Sequence, residues 1–241
     1  MSISQNLQDI SQRIQNACKK VDREPDSVRL LLATKTVSAD KIKEAILLGN
    51  PLIGENKVQE VEEKYADLKS VRHESHFIGH LQTNKIKHLL RCDIDCIQSV
   101  DRMKLVRRLQ NRLVFEDKEL DVFIQVNTSG EKSKFGIHPD KALDFIKEAS
   151  AYDRLHIRGL MTIGLFSSDA NKVRPCFRLL REIRDEVNLL GITKTPILEL
   201  SMGMSKDLET AIEEGATIVR VGTSIFGERP YPDSYYWNEG S

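Results

Sequence analysis

Three groups of residues in this chain have the types and spacing that chemistry needs. Lys35 closes the run Leu30-Leu31-Leu32-Ala33-Thr34-Lys35, and two short loops, Ser201-Met202-Gly203-Met204-Ser205 and Gly222-Thr223-Ser224, are rich in glycine and hydroxyl groups. Lys35 follows Leu31 and Ala33 at a spacing of two, so the three share one face of an extended strand. Lysine is rarely buried without a partner or a task. Burial beside another cation lowers the pKa of an amine and suits it to Schiff-base formation. The loops offer what a phosphate requires: glycines that let backbone N–H groups approach, and hydroxyls that donate. An amine facing a phosphate site fits two chemistries, pyridoxal phosphate or a phosphorylated carbonyl substrate. The residue types alone do not choose between them.

Arg220 lies within Ile218-Val219-Arg220-Val221 and shares a face with Ile218 and Gly222. A guanidinium in a buried strand needs an anionic or acceptor partner. Glu199 on the preceding strand is one candidate; a ligand beside Gly222 is the other, and the adjacent loop favours the ligand. Ser205 also reads as the cap of the next helix, with Asp207 in its first turn competing for the positive end of the dipole. Glu55-Asn56, His80, Asn127 and Met161-Thr162 complete the polar groups expected at strand ends. His73, His76 and His80 do not share a helical face, because Phe77-Ile78-Gly79 reads as a strand. Cys92 and Cys96 lack a second ligand pair, so no metal is expected at either group.

The elements that position these groups follow from hydrophobic periodicity. Ile3, Leu7, Ile10, Ile14, Ala17 and Val21 form the stripe of a leading helix within residues 1–24, closed by Pro25. Eight apolar runs then alternate with amphipathic helices, at 30–33, 52–54, 77–79, 96–99, 122–126, 157–161, 197–200 and 218–221. Gly49, Gly191 and Gly215 end three of the helices. Such alternation means a parallel sheet. Eight units without a break, and no Gly-rich dinucleotide turn after the first strand, predict a closed α/β (β/α)₈ TIM barrel with an additional N-terminal helix. The polar groups above then fall at the C-terminal strand ends, where barrels carry their chemistry, and the last two loops are the usual phosphate site. A single domain spanning 1–241 is expected, with the barrel over 28–228 and a tail over 229–241.

The 241 residues carry 36 Lys+Arg against 36 Asp+Glu. A net charge of zero argues against nucleic acid or an anionic membrane as partner. No run of eighteen apolar residues is present, and Met1-Ser2-Ile3-Ser4-Gln5-Asn6 does not read as a signal peptide. Four cysteines without a CxxC pair suit reduced thiols and a cytoplasmic protein.

Longer motifs add a resemblance. Thr34-Lys35-Thr36, Ile53-Gly54-Glu55-Asn56-Lys57-Val58-Gln59-Glu60, His76-Phe77-Ile78-Gly79-His80-Leu81-Gln82-Thr83-Asn84-Lys85, Gly159-Leu160-Met161-Thr162-Ile163, Leu200-Ser201-Met202-Gly203-Met204-Ser205 and Val219-Arg220-Val221-Gly222-Thr223-Ser224-Ile225-Phe226-Gly227 occur in this order. Together the chain resembles the pyridoxal-phosphate homeostasis proteins, the YggS/PROSC family. The resemblance implies a barrel like the N-terminal domain of bacterial alanine racemase, with pyridoxal 5′-phosphate held as a covalent aldimine on Lys35. It implies that Ser201, Gly203, Gly222 and Thr223 hold the phosphate. Arg220 would face the pyridine nitrogen or the phosphate edge, and Asn56 would lie near the ring. The family commonly has Ser before the lysine and Pro soon after the following Thr; here Thr34 and Val37-Ser38 stand there, a departure that touches the first loop and leaves the lysine assignment in place.

The function implied is binding, buffering and delivery of the cofactor by a monomer, with transient contact to pyridoxal-phosphate-dependent apoenzymes and without substantial turnover. The alternatives are a racemase-like enzyme using the cofactor and a barrel enzyme acting on a phosphorylated sugar. Racemisation needs two positioned acid/base groups. In the racemases that this barrel resembles, the second is a Tyr from a β-rich domain, for which too few residues follow Gly222. Tyr65 and Tyr152 fall on helices, leaving Tyr231, Tyr235 and Tyr236 of the tail as the route to catalysis.

Overall fold

The stripe Leu7, Ile10, Ile14 and Ala17 builds α1 (Ile3–Lys20), which Ser2 caps by accepting from Gln5 N–H at 3.2 Å. The computed structural model describes residues 2–165, 167 and 169–227. After α1 the chain runs through β1 (Arg29–Ala33), α2 (Ala39–Leu47), β2 (Leu52–Glu55), α3 (Val58–Leu68), β3 (Glu74–Phe77), α4 (Ile86–Leu90), β4 (Cys96–Val100) and α5 (Met103–Glu116). It continues through β5 (Leu120–Gln125), α6 (Ala142–Ala149), β6 (Leu155–Met161), α7 (Ala170–Leu189), β7 (Glu199–Ser201), α8 (Leu208–Glu213), β8 (Ile218–Val221) and α9 (Thr223–Phe226).

All eight strands are parallel, and β8 closes on β1 with Leu30 opposite Val219 and Leu31 opposite Arg220. The period of two along each strand separates two cores. Leu31, Leu52, Cys96, Phe123, Met161 and Ile218 fill the barrel interior. Their neighbours, such as Leu32, Ile53, Ile97 and Leu200, face the helices.

Several boundaries differ from the sequence reading, and three of them have a local cause. α1 stops at Lys20, the chain turns through Asp22 at φ 53°, and Pro25 opens a short 3₁₀ turn instead of closing the helix. β3 begins at Glu74, so His76 is a strand residue; its register runs from Leu52–Glu74 to Glu55–Phe77. Beyond it Gly79 lies against the Asn56 carbonyl so tightly that a Cβ there would be 1.9 Å from the oxygen. That glycine serves close passage of two loops, and the expected strand at 77–79 is displaced toward the N-terminus. β7 starts at Glu199 because Asn188 takes both backbone groups of Ile197, with N–H to Oδ1 and Nδ2 to O each 2.8 Å. The eighth strand is followed by a helix, α9, which the sequence reading left out. Residues 228–241, with Tyr231, Tyr235 and Tyr236, lie outside the described residues.

α1 straps the β8 side of the barrel. Arg13 donates to Glu209 at 2.6 Å and to the Ser205 carbonyl at 3.0 Å, and Asn6 Nδ2 donates to the Ile225 carbonyl of α9 at 2.8 Å.

Candidate functional site

Gly222 sets the end of β8 against the end of β1: a Cβ there would be 2.8 Å from the Ala33 carbonyl oxygen. This close approach places Lys35 beside the start of α9. Together with Lys41, Gly222 and Thr223, Lys35 lines a pocket of about 290 Å³ at the C-terminal mouth. That volume is at the lower end of small-molecule sites, about 300–1,000 Å³. Thr223 opens α9, in which the Ile225 and Phe226 N–H groups donate to the Gly222 carbonyl at 2.9 Å, so the N–H groups of Thr223 and Ser224 are the ones that precede the helical bonding. Its Oγ1 lies 3.4 Å from Ser205 Oγ, so the two loops expected to hold phosphate do meet.

Arg220 is buried just below this mouth, 6% exposed. Its Nη1 donates to Ser201 Oγ at 2.8 Å and Nη2 to the Thr162 carbonyl at 2.7 Å. The expected alternative partner, Glu199, instead accepts from Thr217 Oγ1. Arg220 therefore meets neutral acceptors. Burial pushes its pKa down to about 10, opposed by the charge of Asp207.

Ser201 is fully buried, and its hydroxyl faces inward rather than toward the mouth. Besides accepting from Arg220, Ser201 Oγ donates across the barrel to Gln98 Oε1 at 2.6 Å. Gln98 Nε2 meets His76 Nδ1 at 2.7 Å, and His76 Nε2 meets Glu74 Oε1 at 2.7 Å. A polar line thus runs from β8 through β7 and β4 to the start of β3.

Gly203 adopts φ 92°, and a Cβ there would come 2.4 Å from Ala211 Cβ, so glycine is what lets this loop pack on α8. Its carbonyl accepts from Arg220 N–H at 2.9 Å. Ser205 does not cap α8. Asp207 occupies the N-cap position, and its Oδ1 folds back to the Met204 N–H at 2.6 Å. Asn56 sits past β2, half-buried, and does not line the pocket with Lys35. His80 stacks on Phe135 at 3.9 Å between ring centroids. Asn127 shapes its own loop, donating to the carbonyls of Glu131 and Lys134 at 2.9 and 3.1 Å. Thr162 supplies the carbonyl that Arg220 uses.

The structure therefore brings Lys35, Gly222 and Thr223 to one pocket, with Arg220 and Ser201 in the layer below. Sequence reasoning passed over Gln98, Lys64 and Lys41. Gln98 carried a signal, being an amide inside a buried strand. Lys64 carried none beyond its spacing of four from Glu60. At the opposite mouth a second pocket, about 350 Å³, has its charges already paired, Arg158 with Asp121 at 3.0 Å and Arg29 with Glu74.

An amine, a loop of N–H and hydroxyl donors and a buried guanidinium can hold a small molecule bearing a carbonyl, an anionic group and a further acceptor. The family described as the alanine racemase N-terminal domain matches residues 5–230. The pyridoxal phosphate homeostasis protein of Aquifex aeolicus (strain VF5) is 42% identical over 231 residues, covering 96% of this chain and 100% of that one. PipY of Synechococcus elongatus PCC7942, in a structure with PLP bound, matches with a TM-score of 0.79 at 31% identity, over 90% of this chain and 100% of that one. An alanine racemase of Clostridium difficile 630 matches in fold, with a TM-score of 0.73 at 12% identity, over 93% of this chain and 61% of its own.

Proposed function

The chain belongs to the pyridoxal phosphate homeostasis proteins of the alanine racemase N-terminal-domain family, and from that premise we propose that it holds pyridoxal 5′-phosphate as a Schiff base on Lys35 and buffers or delivers it. One observation carries the reading: Lys35 and the Gly222-Thr223 loop line a single pocket, and Arg220 is buried two residues before Gly222 on the same strand. The cofactor, when bound, supplies an aldehyde that can pass between amines. Lys35 provides the amine that retains it. The N–H groups of Thr223 and Ser224, with Thr223 Oγ1, suit its phosphate. Arg220, which among the described residues donates its side-chain hydrogen bonds to a hydroxyl and a carbonyl, suits the pyridine nitrogen or a phosphate oxygen.

Binding without substantial turnover fits the same residues. Tyr65 is bonded to Asp93, and Tyr152 packs against the outer core, so neither serves the mouth as a second acid/base group. Four buried, unpaired thiols fit a cytoplasmic setting, and no helix among the described residues is long and apolar enough to cross a membrane. A monomer with an open mouth would hand the cofactor to an apoenzyme by transient contact.

Borohydride reduction of the loaded protein followed by peptide mass mapping tests the assignment. The adduct is expected on Lys35; recovery on Lys41 or Lys57 overturns it. Turnover is tested by α-proton exchange of alanine in deuterated water. Exchange no faster than with free cofactor is expected, and rapid exchange that vanishes in Lys35→Ala would refute the non-catalytic reading.

A further inference from the structure

Lys35 sits between two peptide groups that one side-chain cluster holds. Lys64 Nζ, from the middle of α3, donates to the Thr34 carbonyl at 3.0 Å, to Glu55 Oε1 at 2.7 Å and to Glu60 Oε2 at 3.0 Å. An ammonium has three protons, and here all three are used. Glu60 Oε2 in turn accepts from Thr36 N–H at 2.6 Å, and Thr34 Oγ1 donates to Glu55 Oε1 at 2.7 Å. The Thr34 carbonyl belongs to the peptide bond before Lys35, and the Thr36 N–H to the one after it. Both peptide planes that flank Lys35 are therefore tied to this cluster, one through the ammonium itself and one through Glu60, and the Thr34 carbonyl accepts in addition from Val37 N–H at 3.0 Å across the turn.

The loop needs such a hold. Thr36 adopts φ 64°, a left-handed conformation that costs a β-branched residue free energy and persists only where its surroundings enforce it. The cluster is enclosed as well: the Lys64 side chain is 12% exposed and that of Glu55 4%. Among the described residues none donates to Glu55 Oε2, and burial pushes the carboxyl's pKa up against the lowering effect of Lys64.

We propose that Lys64, acting with Glu60 and Glu55, is a positioning residue that sets the Lys35 loop for attack on the cofactor aldehyde. The proposal rests on Lys35 being the Schiff-base residue. In that step the neutral Lys35 amine forms a C=N bond with the aldehyde carbon, and the carbonyl oxygen leaves as water with the two amine protons. Lys64 touches neither reactant; it acts through the backbone on either side of Lys35.

A brace serving only the fold would act differently, and pyridoxine 5′-phosphate separates the two roles. It carries the same phosphate and ring but an alcohol where the aldehyde stands, so it binds without forming an imine. Three quantities are to be measured for wild type, Lys64→Met, Glu60→Ala and Glu60→Gln: the stopped-flow rate of the imine absorption band, the affinity for pyridoxine 5′-phosphate, and the thermal midpoint. Lys64→Met and Glu60→Ala are expected to slow imine formation by about 10- to 100-fold, the scale at which small misplacements act. Affinity for the alcohol should stay within about twofold of wild type, since its contacts are left in place. Glu60→Gln keeps an oxygen for the Thr36 N–H and should fall between. An unchanged imine rate, or equal losses in rate and alcohol affinity, would overturn the proposal. Should Lys64→Met fail to fold, Glu60→Ala decides, because the Thr36 N–H that it releases belongs to a residue exposed to water. Lys35→Ala is the separate control: an imine band that survives it defeats the reading on which the proposal stands, whatever the clamp variants do.

Discussion

Arg220 is charged at neutral pH, yet its hydrogen bonds go to a hydroxyl and a carbonyl. A ligand acceptor completing its shell would make a charge-assisted bond worth about 1.5–3 kcal/mol, against about 1 kcal/mol for the neutral bond that Thr223 can offer. Arg220→Gln should therefore weaken cofactor affinity by about 10- to 150-fold and Thr223→Ala by about fivefold, read by fluorescence titration. Equal affinities in wild type and Arg220→Gln would make the arginine purely structural. That Lys35, Gly222 and Thr223 stand just past strand ends was legible in the sequence, because the position follows from counting along the strand. Ser201 was legible in kind and not in use. It shares the interior face of β7 with Glu199, and there its hydroxyl meets Arg220 and Gln98. Lys64 was hidden, since nothing in a helical charge pair says that its ammonium reaches back to an earlier strand end.

α1 is the element outside the repeating pattern, and it lies behind the site. It packs over α8 and α9, and its Asn6 holds the carbonyl of Ile225 in the short helix whose start faces the pocket. Ile10, 2% exposed, is central to that packing. Ile10→Ala removes three carbons from a closed site and should cost about 2–5 kcal/mol in urea unfolding. Looser docking of α9 should weaken phosphate binding with it, and a loss of stability without any loss of cofactor affinity would separate the strap from the site. The barrel itself was readable at element scale because eight buried strands need apolar runs and eight helices need stripes. What stayed unreadable were ends fixed by distant partners. β7 shortens because Asn188 on α7 takes the backbone of Ile197, and β3 shifts to pair with β2, neither of which local periodicity records.

The whole barrel is threaded by the line from Arg220 to Glu74, and its lower end answers to pH. The His76 hydrogen bond, aided by Arg29, holds the Glu74 carboxyl down to about 2 from an ordinary 4.5. A carboxylate whose pKa is depressed on folding adds stability above the unfolded value, lost as pH falls through the folded one. The contribution should be complete above about pH 4.5 and gone near pH 2. Fully buried, such a shift would amount to about 3 kcal/mol; with Glu74 part-exposed, about 1–2 kcal/mol is expected. Glu74→Gln should lie below wild type by that amount at pH 7, and the two should converge by pH 2. A constant gap at every pH would mean that Glu74 acts without its charge. The same line has a sense of direction. Arginine has donors and no acceptor, so Ser201 receives from it and passes its own proton to Gln98. Gln98 must then turn its amide nitrogen to His76, whose Nδ1 is left bare while Nε2 carries the proton toward Glu74. One irreversible donor at the top thus writes the tautomer of a histidine on the far side of the barrel, and ring nitrogen-15 shifts of His76 should report a single Nε2–H form. In Arg220→Gln, whose amide can give or take, the line is free to run either way, and a mixture of the two tautomers is the expected signal.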